Sequence, residues 1–164
     1  MDDTADPDPA SRTDRFVVSH ADEDSAVLKA VDGGQVHTLA SNPDLTADDV
    51  VTATIEPEPP MEVTWRVVGI EERHTLDIGR SPEPPTELAY EIADGQPVGE
   101  VTRRERAGEG ELHVLTLDPG SVEAAAEEVA ADEATRTVAA RVGARRVELR
   151  FDDDAGVLSV RYLP

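Results

Sequence analysis

SAVLKAVDGGQVHTLA, residues 25–40, sets two short apolar runs on either side of Asp32-Gly33-Gly34. Alternation at period two marks a half-buried strand, and an Asp-Gly-Gly tip marks a hairpin. With Gly33-Gly34 at the tip, Val31 faces Val36 and Leu28 faces Leu39, so apolar partners meet across the pair. Working outward, FVVSH (16–20) reads as a preceding strand, and DVVTATIE (49–56) and VTWRVVGIEE (63–72) as two following ones. Val51, Ala53 and Ile55 share one face, as do Val63, Trp65 and Val67. Five short strands with turn-rich joints in about sixty residues predict a small β-barrel of SH3 or OB type.

Beyond it, GRSPEPPTE (79–87) carries three prolines and breaks the pattern. A short helix over 87–93 stopping at Gly95 is expected next, then strands at 98–105 and 111–117 around an AGEG turn. Asp118-Pro119 is read as the start of an alanine-rich helix, broken near Asp132 and followed by a second helix ending at Gly143. RRVELRF (145–151) and VLSVRYL (157–163) form a closing hairpin, with Val147, Leu149, Phe151 and Leu158, Val160, Tyr162 facing the core. The predicted fold is thus α+β. A disordered acidic tail (1–14) leads to a small β-barrel (15–78), a proline-rich linker (79–87) and a two-layer α+β domain (88–164) with an antiparallel sheet and helices on one side.

The 164 residues include 36 acids against 15 bases, a formal charge of −21, and 14 of the 15 bases are arginine. No apolar run approaches the ~18 residues of a membrane span. A body this acidic repels phosphate, which argues against a general nucleic-acid binder. Without cysteine there is no disulfide, thiolate metal site or cysteine nucleophile. The opening MDDTADPDPASRTDR lacks the basic and apolar regions of a signal peptide, so a soluble cytoplasmic protein is expected. Acidity with a single lysine, Lys29, fits a halophilic archaeon, where molar salt shortens the Debye length to about 3 Å and screens the self-repulsion.

Cut at the linker, residues 1–96 carry a net −16 and residues 97–164 only −5. Arg104, Arg146, Arg150 and Arg161 fall by alternation on one sheet face. They are the candidate binding residues for a carboxylate-bearing protein partner, with ion pairing to Glu100, Glu111 and Glu148 as the competing explanation. Met61, in the stiff loop EPEPPME (56–62), is the candidate apolar contact. RNA is the less favoured partner, because stacking aromatics are scarce.

No His/Asp/Glu spacing forms a metal signature, no cofactor fingerprint is present, and Asp152-Asp153-Asp154 reads as a hairpin turn. His20 or His37 with Asp22 or Asp24 is the only arrangement that would serve an enzyme. LTADDVVTATI is similar to the segment leading into a strand of TRAM-type barrels, with Asp48 where a glycine is common there. FVVSHADEDSAVLKAVDGGQVHTLASNP, EPEPPMEVTWRVV and GEGELHVLTL are similar to an uncharacterised haloarchaeal family, a domain of unknown function, over most of 16–151. That resemblance implies no reaction, ligand or catalytic residue. The expected function is a non-enzymatic binding or adaptor module, with an RNA-associated barrel protein and a small His/Asp enzyme as alternatives.

Overall fold

A computed structural model describes residues 10–106 and 109–164, which divide into two compact units at Thr75/Leu76. Most of the expected tail, residues 1–9, lies outside the described residues, as do Ala107 and Gly108 of the AGEG turn.

The first unit is a closed barrel of β1 (Arg12–Ala21), β2 (Ala26–Ala30), β3 (Val36–Leu39), β4 (Asp49–Pro57) and β5 (Trp65–Thr75). Its order is β1-β2-β3-β5-β4, with β1 returning to β4 and a parallel contact closing β3 on β5. This is the Greek-key arrangement of the OB class. Phe16, Val18, Leu28, Leu39, Val51, Ala53 and Ile55 fill the interior, and Trp65 and Val67 pack against them. Each of the larger side chains contributes about 1.5–3 kcal/mol by leaving water.

The first strand begins at Arg12 rather than at Phe16. Arg12–Arg15 pair with Ile55–Thr52 on β4, and Arg12 also donates to Gln35 Oε1 at 2.7 Å. The β2–β3 register differs from expectation by two residues. Leu28 faces His37 and Ala26 faces Leu39, because Val31 leaves the ladder and gives its N–H to the Arg15 carbonyl. A shift of two preserves the faces, so the core is as expected. Val63 is 73% exposed instead of facing inward. The chain turns at Glu62 (φ 57), and the strand starts only at Trp65.

Asp48 holds φ 71, the left-handed conformation a glycine would take freely. Asp49 beside it is wholly buried. It accepts from Thr46 N and Oγ1 and Thr75 Oγ1, and pairs with Arg73 at 2.9 Å. Burial pushes its carboxyl pKa up, but Thr75, Thr46 and Arg73 outweigh burial and leave it lowered.

The second unit is a five-stranded sheet in the order β6 (Asp77–Arg80), β9 (Arg146–Asp152), β10 (Val157–Leu163), β8 (Glu111–Thr116), β7 (Val101–Glu105). All pairs are antiparallel except β6 with β9, which is parallel. Gly79 and Arg80, expected in the linker, belong to that edge strand. The helices are α1 (Glu87–Asp94), α2 (Val122–Ala131) and α3 (Glu133–Arg141). The break at Asp132 is as read, and Asp132 caps α3 through Ala134 N.

The start of α2 is corrected. Asp118–Gly120 form a turn, Ser121 is the N-cap residue without a side-chain cap bond, and the Val122 N–H is met by Asp153 Oδ1 at 3.0 Å from the β9–β10 turn. Helix placement also differs from the one-sided arrangement. α1 packs through Ala89, Ile92 and Ala93 on the face bearing Leu112, Val114 and Val157. α2 and α3 cover the other face, beside Val160 and Tyr162. Divided at Thr75/Leu76, the charge is −12 and −9, so the contrast drawn at the linker largely disappears.

Candidate functional site

Arg104, Arg146, Arg150 and Arg161 do share one sheet face. A transverse row runs Gly79, Glu148, Arg161, Leu112, Arg104 from strand to strand. Arg150 and Arg146 lie two residues on either side of Glu148 along β9, and side chains two apart face the same way.

Glu148 is the centre of this face. It is 7% exposed and accepts from Arg150 Nε at 2.5 Å and Arg161 at 2.8 Å, with Arg146 at 3.5 Å. Arg150 also reaches Glu83 at 3.0 Å. Burial alone pushes the Glu148 pKa up; Arg150 and Arg161 more than reverse that, and it ends lowered.

The four arginines therefore separate into two kinds. Arg150 and Arg161, with side chains 15% and 20% exposed, hold Glu148 in the sheet. Arg146 is 56% exposed, and Arg104 is exposed with no ion pair among the described residues. At a strand spacing of about 4.8 Å, Arg104 and Arg146 stand roughly 16 Å apart at the two ends of the cluster. Of the three acids expected to pair, Glu148 does so, while Glu111 pairs with His113 at 2.9 Å.

The remaining candidates fall elsewhere. Met61 is 75% exposed in the β4–β5 loop beside Val63. His20 lies in solvent, 3.7 Å from Asp22. His37 lies inside the barrel, edge-on to Phe16 and Trp65, and its Nε2 has no hydrogen-bond partner. Burial, and secondarily Arg12, lower its pKa, so it is held neutral. The two histidines on which an enzyme would depend thus do not converge. Asp152 and Asp153 are structural: Asp152 accepts from Tyr90 Oη on α1 at 2.8 Å, while Asp153 caps α2. No group of three potential metal ligands gathers among the described residues.

Sequence reasoning missed a cleft on the opposite sheet face, between β7–β8 and the α2–α3 pair, of about 190 Å³. Arg103, His113, Thr135 and Tyr162 bring polar atoms to its aliphatic walls. The Tyr162 phenol is pushed up to about 12, chiefly by burial. The signal was present in the alternation, since Arg103 and His113 are register partners, but the roof comes from helices without a distinctive motif.

A family model described as a family of unknown function (DUF5812) matches residues 12–151. The chain belongs to that family. The match spans all five barrel strands and most of the second unit, so both units are part of what the family shares. No curated protein and no solved structure matches the chain. Among the described residues, no helix is long and apolar enough to cross a membrane.

Proposed function

We propose that this chain is a non-enzymatic binding module, working in a salt-rich cytoplasm, that receives a carboxylate-bearing protein segment on its arginine face. The observation that carries this is the pairing pattern around Glu148. One buried carboxylate is opposed by three guanidiniums, with Arg104 and Arg146 exposed at either end. Against a net −21, a local cationic excess of this kind favours acidic partners through bidentate contacts. The apolar Met61 offers a contact on the barrel.

A second reading, RNA association through the barrel, has the OB-type strand order in its favour. The outward residues of β2 and β3, namely Val27, Lys29, Val36 and Thr38, supply one cation and no stacking ring, which weighs against it. Fluorescence anisotropy with a labelled glutamate-rich peptide and a labelled oligouridylate separates the two. The peptide is expected to bind, more weakly as salt rises, and to lose most of its affinity in the Arg104→Glu/Arg146→Glu variant. Binding of the oligouridylate alone, or a peptide affinity unchanged in that variant, overturns the proposal.

A further inference from the structure

The cleft on the opposite face of the second sheet lies open to solvent between β7–β8 and the α2–α3 pair. Its floor is formed by two registered rows, Arg103 with His113 and Val160, and Val101 with Leu115. Its roof is α2 and α3, which line it with Val129, Ala134, Thr135 and Val138. A cavity of about 150 Å³ lined by aliphatic and aromatic groups accommodates a benzene ring. The volume here, about 190 Å³, therefore suits an apolar body of that size or slightly larger.

The polar groups define what that body must carry. His113 is engaged by Glu111, and its ring leans on Tyr162 at 4.8 Å. The Thr135 hydroxyl donates to the Val129 carbonyl at 2.6 Å. Two acids whose charge acts on the Tyr162 phenol, Glu111 and Asp132, are both occupied, by His113 and by the Ala134 N–H. Arg103 is different. It is exposed at the mouth, and among the described residues no carboxylate lies within ion-pair distance of it.

We propose that this cleft binds a small monocarboxylate whose branched aliphatic or phenyl body enters between the sheet and α2–α3 while its carboxylate meets Arg103. The site is distinct from the arginine face, and its test is independent of that proposal. Calorimetric titration of the full chain with phenylacetate and 4-methylpentanoate should show saturable one-to-one binding. Neutral phenylacetamide should bind about tenfold more weakly, the value of a lost charge-assisted bond.

Arg103→Gln is expected to bring acid and amide to equal affinity. Ala134→Leu, which fills the roof, should abolish both, with helicity at 222 nm confirming that the variant is folded. Three results overturn the proposal: no saturation by either acid up to about 10 mM, a limit set by the size of such ligands; equal affinity for acid and amide in the unaltered chain; or unchanged affinity in a folded Ala134→Leu. If Ala134→Leu fails to fold, the comparison of acid, amide and Arg103→Gln still decides.

Discussion

Replacing Glu148 by glutamine keeps the shape of the side chain and removes the charge on which three arginines converge. Arg150 and Arg161 are then left at 15% and 20% exposure without the negative charge they share. Breaking a buried pair by removing one partner typically costs about 3–5 kcal/mol. Two features reduce that here, since Arg150 retains Glu83 at 3.0 Å and Arg146 is more than half in water. A loss of roughly 2–3 kcal/mol follows, and in a unit of this size it lowers the midpoint by about 10–20 °C.

Among the described residues the helices all lie in the second unit, whereas the single tryptophan, Trp65, lies in the barrel. Ellipticity at 222 nm therefore follows the affected unit, and Trp65 emission follows the other. The lowered Glu148 pKa also fixes a pH signature. Its contribution is full above the ordinary value of 4.5 and is lost as pH falls through the folded value, so Glu148→Gln should flatten that acid limb. The triple change Glu148→Leu/Arg150→Met/Arg161→Met should return to within about 1 kcal/mol of the unaltered chain, because no charge is left stranded. A cost below about 1 kcal/mol for Glu148→Gln in the thermal scan would refute the assignment of Glu148 as the anchor of this face.

Asp153→Ala removes the acceptor for the Val122 N–H and should cost about 1 kcal/mol, read as a lower 222 nm midpoint. His37 is neutral and its pKa is lowered, so the barrel should lose stability as pH falls below 6.5, the ordinary histidine value, because the unfolded chain gains the proton first. Denaturation followed by Trp65 emission should show this, and His37→Phe should remove it. Gly110 has φ 94, and an added Cβ would lie 2.0 Å from the Tyr162 carbonyl oxygen. Gly110→Ala should therefore give a protein with little cooperative 222 nm transition. A spectrophotometric titration should place the Tyr162 phenolate transition near 12, absent in Tyr162→Phe.

The barrel was legible because its information is local. Val51, Ala53 and Ile55 alternate, and the Asp32-Gly33-Gly34 tip marks the hairpin whatever its register. The register itself was not legible, since it depends on Val31 bonding back to Arg15, sixteen residues away. In the second unit, the break at Asp132 was visible as a change of helical phase. The edge strand β6 was not, because Asp77–Arg80 holds one apolar residue, Ile78, and gains its meaning only from parallel pairing with β9. The arginines could be placed on one face by alternation. Which of them are shielded around Glu148 and which stand exposed is a matter of burial, which alternation along a strand does not report. The cap of α2 was misread for the same reason, since Asp118 is adjacent in sequence but Asp153 is adjacent in space.

β10 occupies the middle of the second sheet, yet in chain order it is the last of the five strands. During synthesis, β6, β7, β8 and β9 therefore leave the ribosome before the strand that joins them. Until Val157–Leu163 emerges, β8 and β9 each wait with an unsatisfied edge, and the α1 and α2 anchors at Asp152 and Asp153 have no completed hairpin to stand on. The barrel needs no strand from this sheet, whereas the second sheet can be joined across its centre only once β10 has emerged.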